Sequence, residues 1–498
     1  MSDHFISREQ AESDLLAAAA YIGERIKSSD GHSEAMNAVV PRYLANENVD
    51  LAAELANAVD DPFSRDKLLI EVAVKCAEIN DDEYALQLAD TIEDHGLQAQ
   101  AFERIGRVKA GQGNVTKAGE IAEMMSHPDF VFAAIAVDQA TNGDAAAGAT
   151  LKKIEFSSAR VSALQQIAAE FIEADAPEKA LDALDNALAA ADEIEHEEEK
   201  IRAFCDIGNH FLEAKRNDRA VETFDKARGL SELLDNTHRD FFLVNCALGF
   251  LYAGSGELAD RALDQVTDKT QMASALLGFA RQYWKNGEKE DAIEALEEAF
   301  AIVNSQKETE TRDSRGRNVL LASIASQFAG FGKTDRGVEI ALENPDPAEQ
   351  MAALSQIAQI LTVQKEDDLA RQTINLIGED VNRLFALIAV SDEKEKLGDN
   401  DAAIKTLEEA ATLSETVPQL ASRSSVLNEI AVRFVGYGIA DKARSISLEN
   451  LNVISMIRDE SSQAVCLAAL SDLYREANLE LVENERQTIS EMARKADN

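Results

Sequence analysis

The stretch "IRAFCDIGNHFLEAKRNDRAVETFDKA", residues 201–227, decides the fold. Phe204, Ile207, Gly208 and Phe211 recur at the spacing of one helical face, and Ala220, Phe224 and Ala227 follow on a second helix. Large residues on the first helix and small ones at the crossing let two antiparallel helices pack closely. Variants of this block recur every 30 to 45 residues along nearly the whole chain. A repeat of that period outweighs a domain count based on length, so the 498 residues read as an all-α helical solenoid.

Two further copies keep the pattern closely. One has Leu276, Phe279-Ala280, Tyr283, Ala292, Leu296 and Ala299; the other has Leu164, Ile167-Ala168, Phe171, Ala180, Leu184 and Ala187. Weaker copies are marked by Phe102 with Ile105-Gly106, by Leu321 with Ile324-Ala325, by Leu354 with Ile357-Ala358, and by Leu427 with Ile430-Ala431. Gly113, Gly332 and Gly438 stand at the expected turns, where a left-handed residue ends a helix. The block resembles the tetratricopeptide repeat, with its large residue, Leu-Gly and Tyr on helix A and Ala, Phe, Ala on helix B. The resemblance covers about residues 33–478 and implies a right-handed α-α superhelix. About thirteen units begin near residues 33, 66, 99, 129, 161, 201, 242, 273, 318, 351, 384, 424 and 464. Units beginning near 161, 201, 384 and 424 are about 40 residues long and the family's closing proline is mostly missing, so a HEAT-like array is the alternative.

The expected organisation is an N-terminal capping helix over 1–32, a first stack over 33–303, a polar junction over 304–317, a second stack over 318–478 and a C-terminal cap over 479–498. Ser7 with Gln10 forms a capping box for a helix through about Lys27. Pro41 should kink or shorten the first helix A. A final helix over about 480–495 would cover the last apolar face, as terminal repeats require.

Hydrophobic residues make up 45% of the chain and aromatics only 5%, so Ala-rich faces carry much of the packing. Acidic residues number 91 against 49 basic, a net charge of −42 that repels nucleic-acid phosphates and anionic membranes. The acidity reads either as solvated helix faces or as adaptation to a salt-rich cytosol, where repulsion is screened. No apolar stretch is long enough to span a membrane and no basic leader opens the chain, so a soluble cytoplasmic protein is expected.

Signals for chemistry are poor. The four cysteines lack metal-ligand spacing; Cys205 and Cys246 occupy equivalent places on neighbouring helices, roughly 8–10 Å apart, too far for an unstrained disulfide. "GFGKT" at 330–334 lacks the first glycine and preceding strand of a phosphate loop, and "GSG" at 254–256 reads as a turn. "EIEHEEEK" at 193–200 reads as an exposed repeat junction rather than a metal site. No catalytic residue, metal site or cofactor is expected.

In tetratricopeptide arrays, the second, fifth, ninth and twelfth positions of helix A line a concave surface. The resemblance carries these to Arg202, Cys205, Asn209 and Leu212; to Leu243, Cys246, Phe250 and Ala253; and to Ser274, Leu277, Arg281 and Trp284. The next unit supplies Val319, Ala322, Ser326 and Ala329. The expected partner-binding set is Asn209, Leu212, Phe250, Leu277, Arg281 and Trp284, with Phe250 and Trp284 as aromatic anchors. The bland alternative is a tight superhelix whose apolar strip packs on itself, with Trp284 against the following repeat. The lysines of the carboxylate-clamp subclass are absent from their places. The leading expectation is a non-catalytic scaffold that takes an amphipathic or basic protein segment. A helical-repeat enzyme or small-molecule sensor and a self-assembling repeat protein are the competitors.

Overall fold

The computed structural model describes residues 4–235, 238–305 and 314–497. These contain 28 helices and no strand, arranged mostly as successive antiparallel hairpins. In the decisive stretch, helix A runs Glu197–Glu213 and helix B runs Asn217–Ser231. Glu197, Glu198 and Glu199 open helix A, where unpaired amides favour negative charge. Its inner face buries Ile201, Phe204, Ile207 and Phe211. Lys215 ends it at φ 57°, and the Arg216 N–H donates back to the Phe211 carbonyl at 2.8 Å. Gly113, Gly332 and Gly438 take the same left-handed conformation at their turns, where glycine has no steric penalty.

Phe224 explains why the block has a glycine on helix A. A Cβ at Gly208 would lie 2.8 Å from the Phe224 ring, and one at Gly249, on the next helix A (Arg239–Tyr252), only 2.4 Å. The ring therefore wedges between two successive A helices that have given up their side chains there. Phe250 meets it edge-on, with centroids 6.1 Å apart and planes at 67°. Burying one such side chain stabilises by roughly 1.5–3 kcal/mol, and here that gain joins one hairpin to the next.

Polar latches reinforce the stacking. Asp66, in helix Pro62–Glu78, accepts the N–H groups of Glu93 and Asp94, both at 3.1 Å. Asp129, in helix Asp129–Thr141, accepts those of Glu155 and Phe156 at 3.1 and 2.7 Å. Asp240, in helix Arg239–Tyr252, accepts those of Thr267 and Asp268 at 2.7 and 2.6 Å. In each case a buried carboxylate in the first turns of one helix A satisfies the backbone entering the next, where amides have no helical partner.

The helices fall into two compact units, Met1–Ile105 with Leu354–Asn498, and Gly106–Ala353. Within the second, hairpins pack in chain order. Within the first, the beginning of the chain packs on its end. Helix Leu15–Gly23, "LLAAAAYIG", buries all nine of its residues, as a helix apolar on every side must. It lies along helix Glu460–Glu476 much as a helix B lies along its own helix A. The following helix, Glu483–Ala496, packs instead on Ala440–Met456 and Arg8–Ser13. The hairpin begun by Glu460–Glu476 is thus completed by Leu15–Gly23, the second helix of the chain.

Several local expectations change. The Ser7–Gln10 capping box forms, but its helix ends at Ser13 instead of running to Lys27. Asp14 adopts an extended conformation, and its carboxylate accepts the Ala17 N–H at 2.7 Å, starting a new helix. Helix Ser29–Ala45 runs through Pro41 without being shortened there. The polar junction expected over 304–317 lies largely on residues 306–313, outside the described residues.

Candidate functional site

The residues expected to line the groove divide into three environments. Phe250 and Leu277 are in the core, Phe250 with no exposure at all, so neither meets a ligand without unpacking the repeat. The reason lies in helix Arg239–Tyr252, "RDFFLVNCALGFLY", whose bulky apolar residues occupy several faces: Phe242, Leu243, Val244, Cys246, Phe250 and Leu251 are all buried. A helix so patterned is enclosed by its neighbours, a signal the continuous apolar run already carried.

Arg281 and Trp284 belong to contacts between hairpins. The exposed Arg281 donates from Nε to the Gln327 side-chain oxygen at 3.0 Å, and the Gln327 amide donates to the Leu277 carbonyl at 3.0 Å. Trp284 is half-buried and stacks flat on Phe331, with centroids 4.2 Å apart and planes at 7°. It packs on the following repeat, as the bland alternative held. Lys289 Nζ stands 5.1 Å from the indole, close enough for a cation–π contact. Asn209 is exposed, and Leu212 is half-buried against the core containing Phe211 and Phe250. Of the expected set, Asn209 and Arg281 stay exposed, on separate A helices, while Leu212 and Trp284 are partly covered.

Sequence periodicity missed the three latch aspartates, because polar residues on a repeat are read as solvent-facing. The available signal was an Asp in the first turns of helix A, twice preceded by Arg, as in Arg65-Asp66 and Arg239-Asp240. Burial alone would raise the Asp240 pKa. Hydrogen bonds from the Asp268 N–H and the Thr267 hydroxyl and N–H, with Arg239 at 2.7 Å, outweigh burial and hold it below the ordinary carboxylate range.

Cys205 and Cys246 come closer than the helix spacing suggested: their sulfurs are 4.0 Å apart, both thiols are free, and both are buried. Their mutual contact and burial push the Cys246 thiol well above its ordinary range, and burial raises Cys76 to about 11. Among the described residues no group of three or more His, Cys, Asp or Glu side chains is arranged to hold a metal, and no helix is long and apolar enough to cross a membrane. "GFGKT" forms the turn between helices Ser314–Gly330 and Thr334–Glu343, with Gly332 at φ 74°.

A cleft of about 230 Å³ lies among helices Asp367–Asn375, Asp380–Lys396 and Asn400–Ser414. Asp367, Arg371, Lys394 and Lys405 line it over an apolar floor that includes Ile374, Leu387 and Val390. Two of its cations are already engaged: Lys394 reaches Asp367 at 3.4 Å and Thr406 at 3.2 Å within the cleft, and Arg371 pairs with Glu409 outside its lining.

The sequence model of the tetratricopeptide repeat matches residues 386–416, which run from helix Asp380–Lys396 into the loop after helix Asn400–Ser414. No curated protein matches the sequence. Among solved structures, Ton1535 from Thermococcus onnurineus NA1 is 16% identical with a TM-score of 0.26, over 70% of this chain and 97% of its own. A Podosopora anserina putative kinesin light chain with nearly identical TPR-like repeats is 17% identical with a TM-score of 0.25, over 45% and 100%. The APC/C hetero-tetramer Cut9-Hcn1 is 16% identical with a TM-score of 0.23, over 93% and 92%. Superpositions this loose bring nothing from those proteins' partners to this chain. The tetratricopeptide match covers one hairpin, residues 386–416, and the described residues as a whole form an array of helical hairpins.

Proposed function

We propose that this protein is a non-catalytic scaffold that holds a segment of another protein along its A helices. Repeats of this type mediate protein–protein interaction, and each adds a small patch to an extended surface. The observation that carries the reading is the way exposed polar groups are set on interlocked helices. Asn209 projects from helix Glu197–Glu213, and Arg281 projects from helix Lys269–Asn286 while anchored to Gln327. Such groups can bond a partner's backbone or carboxylate, while Leu212 and the edge of Trp284 offer apolar contact. Phe250 and Leu277 act behind this surface as packing. The net charge of −42 favours a basic or amphipathic partner and speeds its encounter at low salt.

A photo-crosslinking residue at Asn209, and separately at Arg281, tests the reading against the same probe at Glu222, which is exposed on helix Asn217–Ser231. The expected result is one shared crosslinked partner at positions 209 and 281 and none at 222. Equal labelling at all three positions would sink the helix A surface.

A further inference from the structure

Two opposing forces act where the chain ends meet in the unit Met1–Ile105 with Leu354–Asn498. Burial holds the ends together. Every residue of Leu15–Gly23 is buried, and Ala464, Leu467, Leu470 and Leu473 are buried on the helix it lies along. Polar links surround that apolar contact. Tyr21 donates to Asp497 at 2.6 Å, Arg25 pairs with Asp497 at 3.1 Å, Arg42 pairs with Asp472 at 2.8 Å, and Ser490 donates to Glu12 at 2.7 Å. Asp497 and Asp472 keep 37% and 30% of their side-chain surface exposed, so water and salt reach these pairs.

Charge works against the joint. Residues 1–105 and 354–498 are each richer in Asp and Glu than in Lys and Arg, so closure brings together two segments of like sign. No short covalent tether offsets that repulsion, since Arg42 and Asp472 are 430 positions apart. We infer that the joint is a salt-strengthened clasp: burial of the Leu15–Gly23 helix holds it shut, repulsion between acidic segments pulls it open, and rising ionic strength tightens it. The sign follows from the relative size of the terms. Screening weakens a few half-exposed ion pairs that contribute little, and it weakens the summed repulsion of many unpaired carboxylates much more. Apolar burial does not depend on screening. A clasp held mainly by its ion pairs would show the reverse response. This inference does not depend on the scaffold reading above.

Hydrogen exchange on the full-length protein, read by mass spectrometry, tests it. The KCl concentration is raised from about 0.01 M to about 1 M, over which the Debye length falls from about 30 Å to about 3 Å. Helix Glu197–Glu213, in the other unit, serves as the internal reference. The expected result is that helices Leu15–Gly23 and Glu460–Glu476 exchange roughly tenfold more slowly, relative to that reference, at the high end of the series. Faster relative exchange with salt, or no change, would overturn the inference. The variant Asp497→Asn should retain the direction of the response; reversal or loss would mean that the ion pairs govern and the inference fails. In Leu16→Ala the joint should open at low salt and recover at high salt while the reference helix stays protected. If that variant exchanges like wild type, burial is not what holds the clasp.

Discussion

The hairpins around Phe224 and the joint of the chain ends perform the same structural task, setting one helix beside another, by different means. Around Phe224 the neighbours are adjacent in sequence, and a single ring fills the space left by Gly208 and Gly249. The chain brings those helices together, and packing has only to lock the register. At the joint, helix Leu15–Gly23 reaches a partner more than 430 positions away, so burial must supply both proximity and register. The first region is therefore expected to be sensitive to shape and the second to the balance between apolar area and charge.

Four measurements would break or sharpen this comparison. The largest effect is expected from Phe224→Ala, which should destabilise by about 3–5 kcal/mol because two glycine-bearing helices cannot collapse fully onto the void. Chemical denaturation should show the loss, with exchange in helices Glu197–Glu213 and Arg239–Tyr252 rising together. If only one of the two loosens, the wedge does not couple the hairpins. Leu16→Ala should cost about 2–3 kcal/mol, with the loss confined to the joint, because a short terminal helix can resettle more readily than a wedged ring.

Asp240→Asn should cost about 1.5 kcal/mol at neutral pH, since an amide accepts the Thr267 and Asp268 N–H groups less strongly than a carboxylate. The wild-type contribution has a definite pH sign. The folded pKa of Asp240 is depressed, so its stabilisation is complete above the unfolded carboxylate pKa and is lost as pH falls through the lower, folded value. The variant should therefore differ from wild type near neutrality and converge on it in acid, measured by denaturation across pH. A constant difference would exclude the carboxylate as the source. The smallest effect is expected at Lys215, held at φ 57°: Lys215→Gly should stabilise by about 0.5–1 kcal/mol by relieving the left-handed strain, seen as a small rise in Tm.

Much of the fold was legible because a repeat writes the same packing rule many times. Phe204, Gly208, Phe211, Ala220 and Phe224 announced a helical hairpin and its crossing point, and in other copies Gly113, Gly332 and Gly438 marked the end of helix A. The candidate surface was only partly legible. Position within the repeat put Asn209, Leu212, Phe250, Leu277, Arg281 and Trp284 on one strip, but position alone cannot say what stands opposite each of them. Helix Arg239–Tyr252 is apolar on several faces, so Phe250 turned inward, and Trp284 found Phe331 on the next repeat.

Periodicity is local, and by itself the sequence determined what local physics controls: the helices, their apolar faces, their turns and a strongly acidic exterior. Only tertiary structure decided that Asp66, Asp129 and Asp240 are buried latches, that the Cys205 and Cys246 sulfurs touch, and that helix Leu15–Gly23 completes the hairpin of Glu460–Glu476. Each of these depends on which surfaces meet across the chain, and such pairings are selected by total burial and charge rather than by spacing within any one segment.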